Sequence, residues 1–362
     1  MKQIWKRSLS LLLLSILLIV ALVGCTDEPE PEPTPEPTPE VVETPEPEEI
    51  EEEEEPIAGM DIHGAIHRIE YGDNVVYLFG SMHGGRETWY PLADAVEDAM
   101  NRADVFVSEI GLADPTEQAE AIQAVAVLPD GQTWVEFLPE EAYDHIVAMA
   151  EAWEMNYEDV NTLNPAFLAF SLEMQLALQM AENIEIGNTV GDISVDGYVL
   201  ERAVERGLPV LSLETIEQQA QILYNPPFEV IVARAMGLLP PEEMMEAIQN
   251  SYEPSLGELA DMYESNDVTA LAESNINVIC LAAEEAADGN LWLIYMRETV
   301  MNGRSAYYAD GIARLLQETE EPTTFFVVVG VSHLIRSLAG EEFTDIVAQL
   351  KLMSFDTVPL WQ

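Results

Sequence analysis

Two histidines in this sequence stand at the same spacing behind an apolar run. Leu78-Phe79-Gly80-Ser81-Met82-His83 has a counterpart in Val328-Val329-Gly330-Val331-Ser332-His333. With 20 glycines and five histidines in the chain, chance supplies about 0.3 such Gly-x-x-His spacings. Three occur. The third, Gly64-Ala65-Ile66-His67, follows no apolar run and is read as incidental. A further apolar run, Asp104 to Ser108, ends at Glu109. Two imidazoles and a carboxylate form a ligand set used by hydrolytic metal sites, which keep open positions for water. Without a metal, the same types supply a general base and the acid that orients it. Each histidine taken singly fits equally well as a turn residue bonded to nearby backbone. Arg86, three residues after His83, is a candidate for holding a substrate carboxylate or oxyanion, or else an exposed loop residue. Glu214 ends another apolar run, as a further ligand or, more readily, as a helix-capping acid. Asp196 begins a helix or pairs with Arg202 or Arg297. His145, among Tyr143, Ile146 and Met149, reads as structural.

These residues need strands to carry them. Val75–Phe79, Asp104–Ser108, Pro209–Leu213 and Thr324–Val329 are nearly continuous apolar runs, as expected of strands covered on both faces. In α/β sheets the carboxyl ends of such strands open onto the ligand crevice, and glycine there allows a sharp turn and close approach. Ile62–Tyr71 alternates and leads into Gly72-Asp73-Asn74, an edge hairpin strand. Helical spacing covers Leu92–Met100, Pro139–Trp153, Pro165–Asn183, Asp196–Arg206, Pro241–Asn250, Leu256–Tyr263, Val268–Ala287 and Tyr307–Leu316. Gly207 is a helix-stop signal before the Pro209 run. The expected fold is α/β: a mixed, largely parallel central sheet flanked by helices, with large helical insertions near 115–190 and 225–300.

The motifs together resemble the TraB/GumN family, which is related to the Tiki membrane-anchored metalloproteases. Gly80-Ser81-Met82-His83 matches its opening strand-Gly-[Ser/Thr]-x-His signature, and Glu109 its acid after the next strand. Asp196-Gly197-Tyr198-Val199-Leu200, Gly207-Leu208-Pro209-Val210 and Leu213-Glu214-Thr215 with Gln218 match its middle, and Gly330-Val331-Ser332-His333-Leu334 its close. A late helix motif, Arg-Asn in the family, is taken as Arg297-Glu298. The resemblance spans about residues 62–350. It implies a hydrolase, most readily a metallopeptidase acting on secreted peptides or proteins. His83, Glu109 and His333 would be its metal ligands and catalytic groups, with Arg86 and Arg297 on the substrate. The implied cofactor is a divalent metal of the Mn or Co type, with Zn also admissible. Two alternatives stand beside it: a metal-independent His/Glu esterase-like hydrolase with His83 as base, and a non-catalytic lipoprotein that sequesters a peptide pheromone.

Composition limits the partners. The chain has 67 acidic and 14 basic residues, for a formal charge of -53. Only Lys2, Lys6 and Lys351 are lysines, so such a surface repels phosphate backbones and excludes nucleic acid as a partner. Two cysteines, Cys25 and Cys280, make neither a disulfide framework nor a thiolate zinc site. Residues 1–24 read as a lipoprotein signal peptide: Lys2, Lys6 and Arg7 precede an apolar run that ends at Leu22-Val23-Gly24-Cys25. Cleavage before Cys25 and lipidation of its thiol would anchor the protein to the outer side of the cell membrane. Residues 25–58 form an acidic, Pro/Glu-rich disordered linker, whose central 30 residues reach at most ~90 Å. Residues 59–362 are the folded domain. Beyond residue 56 there remain 52 acids against 11 bases, so the domain itself is strongly acidic.

Overall fold

The computed structural model describes residues 65–112, 115–180, 185–186, 193–251, 256–276, 290–338 and 344–360. The signal segment, Cys25, the linker, His63, Cys280 and residues 277–287 of the expected Val268–Ala287 helix lie outside the described residues.

A six-stranded sheet organises the domain. Its strands are β1 (Ile66–Tyr71), β2 (Asn74–Ser81), β4 (Val105–Ser108), β6 (Val210–Ser212), β7 (Thr324–Gly330) and β8 (Thr357–Pro359), in the order β6-β4-β7-β2-β1-β8. A two-stranded pairing of β3 (Gly84–Gly85) with β5 (Glu185–Ile186) lies apart from it. β6, β4, β7 and β2 run parallel, and β1 lies antiparallel between β2 and β8. Each expected strand is present and the sheet is mixed and mostly parallel, as the apolar runs predict. Phe326 of β7 stacks its ring 5.8 Å from Phe79 and 6.3 Å from Phe106 on the neighbouring strands. All three rings are buried, as continuous apolar strands between helical layers require. β8 went unforeseen because three residues carry no period of their own. Pro359 suits such an edge, where a missing N–H breaks no ladder.

The helices include α1 (Asp94–Arg102), α2 (Glu140–Ala152), α3 (Pro165–Met180), α4 (Val195–Glu205), α5 (Phe228–Gly237), α6 (Leu256–Glu264) and α7 (Arg304–Glu318). Ser194 caps α4 by accepting from the Gly197 N–H at 3.0 Å. Gly207 closes it in the left-handed region at φ 65°, as its residue type foretells. A π-helical stretch, Met296–Gly303, runs directly into α7. Two large cores result, beside a small cluster around Ala121, Val125 and Ala220. One surrounds the sheet and includes α1, α4 and α7. The other joins α2, α3 and α5 around Trp134, Ile146 and Leu172.

Candidate active site

All four parallel strands end at a candidate residue. β2 ends at Ser81, two before His83; β4 leads directly to Glu109; β6 to Glu214, two residues on; β7 to Gly330 and then His333. β4, β7 and β2 are adjacent, with Ser81 opposite Gly330 and Ser108 opposite Val328. The Glu214 N–H donates to the Glu109 carbonyl at 2.9 Å, which extends the β4–β6 pairing to both acids. Gly80 acts through its missing side chain: a methyl group there would stand 3.0 Å from Val331 Cα. One at Gly330, which has an ordinary φ of -53°, would lie at ordinary contact distance, 3.5 Å from Glu109 Oε1 and 3.9 Å from His333 Cδ2. Glu109 and His333 therefore lie beside the same backbone.

His83 is oriented by a residue from another element. Its Nδ1 lies 2.9 Å from Asp196 Oδ2, in the first turn of α4. Ser81 donates to the other oxygen, Oδ1, at 2.6 Å. Asp196 sits where a carboxylate also gains from the helix dipole. It lifts the His83 pKa from 6.5 to about 9; Glu109 adds to the lift and Arg304 opposes it. The His83 side chain is 59% exposed, so water screens part of this attraction.

Glu109 belongs to a buried charge network. Its Oε1 accepts the Gly330 N–H at 2.8 Å and its Oε2 accepts from Arg304 at 2.7 Å. Arg304 also binds Glu214, which is 3% exposed, at 2.5 Å. Tyr308, one turn along α7, donates to Glu214 at 2.6 Å and contacts Arg304 as well. Burial by itself pushes the Glu109 carboxyl up. Arg304, with help from His333, His83 and the Gly330 N–H, overrides that and holds it down at about 2. One guanidinium thus serves two buried carboxylates.

His333 is 4% exposed. Its Nδ1 lies 2.8 Å from the hydroxyl of Ser305, and the Tyr308 ring meets it edge-on at 5.3 Å. Burial lowers its pKa to about 3; Arg304 and Arg336 add to this and Glu109 opposes it. Its imidazole is neutral across the physiological range.

The remaining candidates fall elsewhere. Arg86 is held by Asp261 at 2.7 Å and by Glu264 on α6, and it lies over the Trp89 ring. Trp89 donates to Glu264 at 2.9 Å, and Tyr263 donates to the Gly80 carbonyl at 2.9 Å. These contacts brace the loop that carries His83. Arg297 pairs with its neighbour Glu298 at 2.8 Å; the arginine that reaches the site is Arg304. His145 bonds the Leu238 carbonyl at 2.9 Å and supports the second core. Asp196, Arg304, Ser305 and Tyr308 are the residues that the sequence did not single out for the site. Asp196 carried a faint signal, an acid just after a Ser cap.

As arranged, the Glu109 carboxylate is engaged by Arg304 and the Gly330 N–H, so a divalent ion would have to compete with Arg304 for it. Among the described residues no three His, Cys, Asp or Glu side chains gather as a metal-binding group. Both Glu109 oxygens already hold hydrogen bonds, one of them to a cation.

A mixed, mostly parallel sheet, with His83, Glu109 and His333 following adjacent strands, makes this an α/β protein. The TraB/PrgY/gumN family model matches residues 65–339, and the chain belongs to that family. No curated protein and no solved structure matched it.

Proposed function

We propose that this protein is a hydrolase of acyl bonds in secreted peptides, held at the outer face of the membrane by a lipid on Cys25. The observation that carries the reading is the Asp196–His83 pair at the end of β2. The carboxylate holds the Nδ1 proton, which leaves the Nε2 lone pair of neutral His83 for a water molecule. That water gives a proton to Nε2 as its oxygen bonds to the carbonyl carbon. The same proton then passes to the leaving nitrogen as the C–N bond breaks. Glu109 and Arg304 hold the electrostatic frame beside it. Peptide as the substrate class is supported by the family resemblance. A metal-dependent form of the same hydrolysis requires Glu109 to leave Arg304.

His83 works as a base only when neutral. A group whose pKa is raised is deprotonated above that pKa, so kcat/KM should climb with pH from 7 toward 9 and then level. Asp196→Asn removes the largest cause of the lift. Its rising limb should move more than one pH unit lower, with a reduced plateau. A peptide-library assay with and without chelator and added Mn2+ checks this. Peptide binding with no cleavage at any pH would replace the hydrolase with a sequestering protein. Activity lost on chelation and restored by Mn2+ would favour the metal-dependent form.

A further inference from the structure

The two Gly-x-x-His histidines have opposite partners. Asp196, a carboxylate, faces Nδ1 of His83 as a hydrogen-bond acceptor. Ser305, a hydroxyl, faces Nδ1 of His333 and can donate one. Ser305 is 0% exposed, and a buried hydroxyl proton requires an acceptor. A helical serine ordinarily turns to the carbonyl four residues back. Ser171 does so, donating to Phe167 at 2.8 Å. Ser305 makes no such bond, and among the described residues the imidazole Nδ1 is the acceptor its proton meets. If Nδ1 carried the proton instead, the Ser305 hydroxyl hydrogen would be buried with nothing to receive it.

We infer that His333 is a neutral hydrogen-bond donor: Ser305 gives its proton to Nδ1, so the ring's own proton sits on Nε2 and meets the carbonyl oxygen of the substrate. Nε2 has no hydrogen-bond partner among the described residues. A methyl group built on Gly330 would lie 3.9 Å from Cδ2, the ring atom beside Nε2, and 3.5 Å from Glu109 Oε1, so that edge of the ring shares the β7 end with Glu109. With Ser305 donating to Nδ1, the ring has one proton, on Nε2, which it shares as a donor. As water adds to the carbonyl carbon, negative charge gathers on the oxygen, and a fixed donor there stabilises it. This role rests on the acyl-hydrolase reading and names the substrate group that His333 recognises. Ser305 is the positioning residue. The two strand-end histidines thereby divide the work: His83 presents a lone pair and His333 a proton.

Nitrogen NMR of the 15N-labelled full chain tests the assignment without any assay of activity. His333, identified by the signals lost in His333→Gln, should show a protonated Nε2 and an unprotonated Nδ1 at pH 6 to 9. In Ser305→Ala the preference should vanish and both tautomers should appear. A protonated Nδ1 in the wild type overturns the inference, as does a shift of the His333 Nε2 signal on titration with Zn2+. Kinetics give a second arm. Removing one such donor costs roughly 10²–10³-fold in kcat. His333→Leu should show that loss, whereas His333→Gln, which still offers an N–H, should recover at least tenfold with KM little changed. Equal loss in both variants overturns the donor role. If no substrate is cleaved at all, the hydrolase reading fails while the NMR result still decides the tautomer.

Discussion

Arg304→Met removes the guanidinium from between two buried carboxylates. The Arg304 side chain is 8% exposed, Glu214 1% and Glu109 13%, so little water reaches any of them. Stripping one partner from a buried ion pair typically costs roughly 3–5 kcal/mol, because a desolvated charge is left behind. The Glu109 pKa gives an independent measure. The drop from 4.5 to about 2 corresponds to on the order of 3 kcal/mol, with Arg304 the largest of the groups that lower it against burial. At about 2 °C per kcal/mol for a large domain, the melting temperature at pH 7.5 should fall by roughly 6–10 °C. The pH dependence has a definite sign. In the wild type Glu109 has a depressed pKa, so its contribution is complete above 4.5 and fades as pH falls toward 2. In Arg304→Met, burial is left to push the carboxyl up, so acid relieves the penalty. The gap in melting temperature should therefore narrow between pH 7.5 and pH 5. Adding Glu214→Gln to the variant should restore part of the loss at pH 7.5. Thermal denaturation followed by circular dichroism reads all of this. A variant that melts within 2 °C of the wild type, or a gap that widens on acidification, would refute the ion-pair account.

Phe326→Ala should destabilise the domain by about 3–5 kcal/mol, since the ring is fully buried between Phe79 and Phe106; urea denaturation measures it. A loss under 1 kcal/mol would show that the sheet core repacks around the gap. Cys25→Ser should leave an uncleaved precursor bearing Met1, detected by intact mass, where the wild type should start at a lipidated Cys25. A wild-type mass that includes Met1 would remove the lipid anchor from the proposal.

Strands and strand-end residues were legible because a covered strand writes its burial directly into a run of apolar residues. His83, Glu109 and His333 each follow such a run, and the sheet sets them along one edge. The helix-borne half of the site was not legible. Asp196, one of 67 acids in the chain, opens the middle motif and read as a helix start or an arginine partner, and nothing in its neighbours says that α4 turns it toward β2. Arg297 and Arg304 are seven residues apart, a spacing that puts both on one face of a regular α-helix. The π-helical stretch from Met296 to Gly303 breaks that spacing, because its wider turns rotate α7 relative to the residues before it. Arg304 then faces Glu109 while Arg297 pairs with Glu298. A π stretch has no reliable mark in sequence, so the sequence pointed to Arg297 and gave no sign of Arg304. Arg86 had the right type and place, but its carboxylate partners come from α6, far along the chain.

The two cores have an evolutionary consequence. Every residue in the charge network and both strand-end histidines belong to elements packed on the sheet, and the Trp134–Ile146–Leu172 core contributes none of them. Selection can therefore act on the two halves under different rules. The sheet edge tolerates few exchanges, since each alters a proton or a charge. The helical half has only to keep its interior apolar and its volume filled, so lineages can diversify it, lengthening or trimming its loops to suit new ligands while the inherited chemistry stays in place.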